Sequence, residues 1–101
     1  MTADATQLIT ALGHPVRRRI LRRFCAVPDT KTSASYLSKE FELPLGNVSY
    51  HLQALAGLEV LSLAEVRPIR GAKEFLYASN LDDRDEWFRV ALEESRPIDE
   101  R

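Results

Sequence analysis

Glu42-Leu43-Pro44-Leu45-Gly46-Asn47-Val48-Ser49-Tyr50-His51-Leu52-Gln53-Ala54-Leu55 is the stretch on which the fold turns. From about Leu45, the apolar residues Val48, Leu52 and Leu55 recur at helical spacing and define an inward stripe. Gly46, Asn47, Tyr50, Gln53 and Ala54 fall on the opposite face, with Ser49 and His51 at its margins. Glu42-Leu43-Pro44 is a tight link to a preceding helix that runs to about Phe41, with Thr32 or Ser33 as its cap and Leu37 and Phe41 turned inward.

Downstream, Val60 to Val66 is rich in aliphatic and β-branched residues, and Lys73 to Tyr77 reads as a second strand with Phe75 and Tyr77 on one face. Arg67-Pro68-Ile69-Arg70-Gly71-Ala72 reads as the loop between them, with Pro and Gly as turn formers. Two helices on a short link, followed at once by a hairpin, outline a winged helix-turn-helix. The helix-turn-helix spans about 33–58 and the wing about 60–78.

Upstream, Ala5, Leu8, Ile9 and Leu12 mark a short amphipathic helix over about 5–12, which Gly13 ends. Pro15 starts a second helix with Val16, Ile20 and Phe24 on one face and five arginines (17, 18, 19, 22 and 23) around the rest. A last helix over about 81–96, capped by Asn80 or Asp82 and ended by Pro97, carries Trp87, Phe88, Ala91 and Leu92 on one side. The expected fold is mainly α with a small β-hairpin, in the order α-α-α-α-β-β-α, as a single domain over 1–101.

The outward face of the helix after Pro44 suits the major groove. Asn47 and Gln53 match the N6/N7 pattern of adenine, and Ser49, Tyr50 and His51 can bond to base edges or phosphates. Gly46 and Ala54 permit close approach. No Lys or Arg lies between Glu40 and Arg67, so phosphate charge has to be met by Lys31 and Lys39 in front and by Arg67, Arg70 and Lys73 on the hairpin. Read only as spacing, the same features also describe an exposed polar helix and an ordinary hairpin.

Ala11-Leu12-Gly13-His14-Pro15-Val16-Arg17-Arg18-Arg19-Ile20-Leu21 resembles the opening motif of ArsR-like transcriptional regulators. Asn47-Val48-Ser49-Tyr50-His51-Leu52 with Leu55 resembles their recognition-helix signature, and Arg67 to Tyr77 is similar to the wing of a metal-independent branch. The resemblance covers about residues 8–78. It implies a homodimer, joined through the first and last helices, that binds a pseudo-palindromic operator on double-stranded DNA. The dimer residues it implies are Leu8, Ile9, Leu12, Trp87, Phe88, Ala91 and Leu92, although Trp87 and Phe88 can instead pack within one chain. Repression is the expected role; the sequence leaves open whether an effector exists and which it is. Where the family usually has Gly, this chain has Glu59, so either Glu59 takes positive φ, or Gly57 shifts the stop, or the helix ends without a left-handed residue.

Charge and composition set the remaining bounds. The chain has 101 residues and a formal charge of −1, which taken whole argues against nucleic acid. The balance is uneven: residues 1–81 carry ten basic and seven acidic residues, whereas 82–101 carry four and eight. The acidic excess is thus confined to the end of the chain, away from the expected reading helix. Cys25, the single cysteine, excludes an internal disulfide and fits a reducing, cytoplasmic setting; near Phe24 it reads as a small buried hydrophobe. Met1 to Gln7 has no signal-peptide pattern, and no apolar run is long enough to span a membrane.

No metal or other cofactor is expected. Ser33 to Phe41 has neither Cys nor His, residues 81–96 have no His, and His14, Cys25 and His51 lie on different elements. No enzyme is expected either. Ser49 and His51, two apart on a helix, do not face each other as a nucleophile–base pair. Arg17 is expected to pair with a carboxylate, and Arg18, Arg22 and Arg23 to be solvated. The competing reading is a winged-helix module that binds protein rather than DNA, motivated by near-neutral charge and an uncharged reading helix.

Overall fold

The computed structural model describes residues 4–27, 29–81 and 85–94. Helix α1 (Ala5–Ala11) opens on a capping box: the Gln7 N–H donates to Asp4 Oδ1, and the Asp4 N–H donates back to Gln7 Oε1. Helix α2 (Pro15–Ala26) has Pro15 in its first turn, and its cap is His14, whose Nδ1 accepts from the Val16 N–H at 3.1 Å. Strand β1 (Thr32–Ser33) leads into helix α3 (Ala34–Phe41), capped by the Ser33 hydroxyl. After the Glu42-Leu43-Pro44 link comes helix α4 (Leu45–Gly57), then strands β2 (Leu61–Ile69) and β3 (Ala72–Ser79) and helix α5 (Glu86–Glu94). The molecule is mostly helical with one small antiparallel sheet, consistent with a winged helix.

Three details depart from the sequence reading. The sheet has three strands in the order β1-β3-β2, because Thr32 and Ser33 pair with Tyr77 and Leu76. Two residues carry no legible strand pattern; the central strand β3 recruits them. Secondly, the hairpin loop is shorter than 67–72. The strands stay paired out to Ile69 and Ala72, leaving only Arg70 (φ 48°) and Gly71 (φ 82°) in the turn. Two positive φ values match the twist of the flanking strands. Pro68 is accommodated because β2 is an edge strand and a proline there forfeits no ladder bond it needs. A bulge at Ala64, between the Leu63–Tyr77 and Glu65–Leu76 pairs, bends the wing. Thirdly, Asn80 does not cap the last helix. It donates instead to the Glu59 carbonyl at 2.9 Å, which ties the end of β3 to the exit from α4; Asp82 and Pro97 lie outside the described residues.

Glu59 itself takes the left-handed conformation, at φ 64°. Its N–H bonds to the Ala56 carbonyl and that of Val60 to Leu55, which closes α4 with the two reversed bonds of a Schellman motif. Gly57 stays inside the helix, so the glycine-favouring position is held by a glutamate at a cost of about 1 kcal/mol.

The core gathers Leu8 and Ala11 with Ile20, Leu21 and Phe24 of α2. Leu37 and Phe41 of α3, the α4 stripe Val48, Leu52 and Leu55, Val60, Leu61 and Tyr77 at the sheet, and Phe88 and Leu92 of α5 complete it. Each such large side chain, removed from water, contributes roughly 1.5–3 kcal/mol before the entropy of ordering is counted. Helix α2 is the hub, and its arginines are not the solvated set expected. Arg17 Nε donates to His51 Nδ1 on α4 at 3.2 Å, in place of a carboxylate. Arg18 donates to the Leu12 carbonyl beyond α1. Arg19 lies over the Phe41 ring of α3 at 4.4 Å, and Arg23 pairs with Glu40 at 3.1 Å. Arg22 is 4% exposed and donates to the Leu92 carbonyl of α5. The guanidiniums bridge α2 to its neighbours, a use that the helical wheel does not disclose.

Candidate nucleic-acid interface

Helix α4 presents its inward stripe to the core and turns Gly46, Asn47, Tyr50, Gln53 and Gly57 to solvent. Tyr50 is 64% exposed. Gly46 and Gly57 have nothing within 4 Å of the position a Cβ would take, and neither has positive φ. Neither the packing nor the backbone requires glycine at these two sites. Ser49 is half-buried on the wing side, and its Oγ accepts from Gln53 Nε2 at 3.2 Å.

Between α4, the start of α3 and the wing lies a cleft of about 290 Å³. Ser35, Leu45, Ser49, Gln53, Lys73 and Phe75 are among the residues lining it. One concave face therefore gathers Ser49 and Gln53 of α4 and a wing cation, Lys73. Leu45, Ile69 and Phe75 add exposed apolar surface that the sequence reading did not single out. Their exposure depends on which strand face the twist leaves uncovered, which alternation alone does not reveal.

The expected phosphate-facing cations divide into two groups. Arg67 is tied to Glu65 at 3.4 Å and to Glu74 at 3.7 Å, and Lys31 to Glu65 at 2.7 Å. Lys31 and then Arg67 hold the Glu65 carboxyl below the usual carboxylate range. Arg70 at the wing tip, Lys73 and Lys39 are exposed, and among the described residues no ion pair joins them to a carboxylate.

His51 is the clear correction to the expected reading face. It is 5% exposed, its ring is 4.2 Å from that of His14, and Nδ1 is occupied by Arg17. Burial, then the neighbouring His14 and Arg17, hold its pKa below the ordinary histidine value. A neutral imidazole accepting from Arg17 orients α4 against α2; it does not reach a groove. Cys25 is half-buried, and burial raises its thiol pKa despite the opposing influence of Arg89, so a reactive thiolate is disfavoured.

Of the expected dimer residues, Leu8, Phe88 and Leu92 are buried in the protomer's own core, and Leu12 and Ala91 are half-buried. Ile9 and Trp87 remain outside, joined by Val90, which the stripe reading omitted. Phe88 and Leu92 turn inward because α5 packs on α2. Among the described residues, no three His, Cys, Asp or Glu side chains come together as a metal site. None of the described helices is long and apolar enough to cross a membrane.

Residues 12–63 match a family model described as a helix-turn-helix domain, one found in ArsR-type regulators. The chain belongs to this helix-turn-helix family. The match takes in α2, β1, α3, α4 and the first residues of β2, so the reading helix and the helix before it fall within it. A comparison with curated proteins found no match. Membership in this family points to a DNA-binding regulator.

Proposed function

We propose that this helix-turn-helix protein is an ArsR-like transcriptional repressor without a metal site, acting as a homodimer on a pseudo-palindromic operator in double-stranded DNA. The observation that carries the reading is the uncharged outward face of α4, open at Gly46 and Gly57, whose residues Ser49 and Gln53 share one cleft with the wing residue Lys73. Asn47, Tyr50 and Gln53 meet base edges, and Ser49 holds the Gln53 carboxamide. Lys39, Arg70 and Lys73 meet phosphates, and Arg67 joins them by exchanging its carboxylate partners for phosphate. The wing tip at Arg70-Gly71 has the narrow shape that the flanking minor groove admits.

The dimer seam in this reading is Ile9, Trp87 and Val90, supported by their exposure at the two helices that the family resemblance assigns to dimerisation. Two half-sites then lie about 34 Å apart, one helical turn of duplex. An effector acts by changing that spacing.

Fluorescence anisotropy of a labelled duplex pool against the full chain, at about 50 and 200 mM salt, is the test. Retention at low salt and a steep loss at high salt support the proposal, because counterion release dominates such binding. No retention of any duplex at low salt overturns it and leaves the protein-binding module. Sedimentation at micromolar concentration decides the dimer; a monomer refutes that part.

A further inference from the structure

We propose that α4 selects A·T base pairs: the core of each half-site is read by Asn47 and Gln53 at adenines and by Leu45 and Tyr50 at thymine methyl groups, with Ser49 positioning Gln53. The inference rests on the DNA-binding reading above and names what that same face recognises.

The first ground is chemical. In the major groove guanine presents two acceptors, O6 and N7, and is met most often by the paired donors of Arg or by Lys; cytosine presents a donor and is met by a carboxylate. Helix α4, Leu45–Gly57, contains no Lys, Arg, Asp or Glu. Its two carboxamides each offer one acceptor and one donor group, the complement of adenine N6 and N7. Leu45 and Tyr50 are both more than half exposed, and an apolar side chain there has a partner in the C5-methyl group that only thymine carries.

Reach is the second ground. Carboxamide side chains are shorter than arginine, so α4 must lie close to the base edges for them to bond. The open positions at Gly46 and Gly57 permit that approach, since no Cβ stands between helix and groove.

Orientation is the third. Gln53 Nε2 spends one hydrogen on Ser49 Oγ, which sets the plane of the carboxamide and leaves its oxygen and second hydrogen available. An exposed glutamine without that bond rotates among several rotamers and pairs with less discrimination. Ser49 is thus a positioning residue, and its effect appears in base preference.

The test is selection of bound duplexes from a random pool by the full chain at low salt, followed by affinities for single-pair changes. The expected product is a half-site whose central pairs are A·T, with each A·T to G·C change lowering affinity about five- to a hundredfold. Gln53→Ala should remove the preference at one pair while leaving the others. Gln53→Arg should move that pair towards G·C. Ser49→Ala should reduce the A·T to G·C affinity ratio at the pair Gln53 reads, and Ser49→Thr should restore it. Thermal melts of these exposed or half-exposed variants report whether the fold survives. Duplex retention with a G·C core, or a Gln53→Arg variant with unchanged preference, overturns this inference but leaves DNA binding standing. A failure to retain any duplex overturns DNA binding itself.

Discussion

Replacing Gly46 with alanine separates what the fold needs from what a ligand needs. The new methyl meets no atom within 4 Å, and the residue is helical without positive φ, so the protein offers it no obstacle. Alanine is favoured over glycine by about 0.5–1 kcal/mol inside a helix, and Gly46 is the second residue of α4, where the lower end applies. For a domain near 100 residues, about 0.5 kcal/mol raises the midpoint of thermal unfolding by roughly 2–4 °C. If bases pack against this face, the methyl holds the helix away from them. The carboxamides of Asn47 and Gln53 then lose reach, and affinity for a retained duplex should fall tenfold or more. Circular dichroism melts and duplex anisotropy, run on the same preparation, measure the two effects. Higher stability with affinity unchanged within about twofold would refute the close approach, and lower stability would refute the reading of Gly46 as unnecessary to the fold.

Glu59→Gly should stabilise the domain by about 0.5–1 kcal/mol in urea melts, since it relieves a left-handed glutamate at the end of α4. With its pKa held below the ordinary value, His51 stays neutral in the folded state as pH falls through about 6.5, whereas the unfolded chain takes up a proton there. Its contribution therefore makes stability decline as pH drops below that value, and His51→Asn, which keeps an acceptor for Arg17, should show a flatter stability profile between about pH 5 and 7. Phe88→Ala should cost about 3–5 kcal/mol, because the ring is wholly buried within the protomer, whereas Trp87→Ala should change protomer stability by less than about 1 kcal/mol and weaken the proposed dimer in sedimentation. Arg70→Ala should lower affinity for all duplexes and make the slope of log affinity against log salt shallower by about one per protomer, without altering base preference.

The local patterns carry most of the fold. The stripe Val48, Leu52 and Leu55, the proline that starts α2 and the helix-turn-helix link are all encoded within a few neighbouring residues, where spacing and caps report geometry directly. The outward placement of Asn47, Tyr50 and Gln53 follows from that same period. Other features needed partners far along the chain. β1 exists because β3 offers it an edge, and the wing stays paired past Pro68 because its strand is outermost. Glu59 keeps its positive φ because the Schellman bonds and Asn80 hold it.

Charge shows the same division. Residue types alone make α4 neutral and put the acidic excess near the end of the chain. Which cations remain available depends on long-range packing, which directs the α2 arginines to a histidine ring, backbone carbonyls, an aromatic face and Glu40, while Glu65 and Glu74 engage Lys31 and Arg67. His51 likewise left the expected reading face because Arg17 and His14 meet it from another element. A helical wheel fixes the direction in which a side chain leaves its helix; whether water, a core or an opposite charge waits there depends on residues distant in the chain.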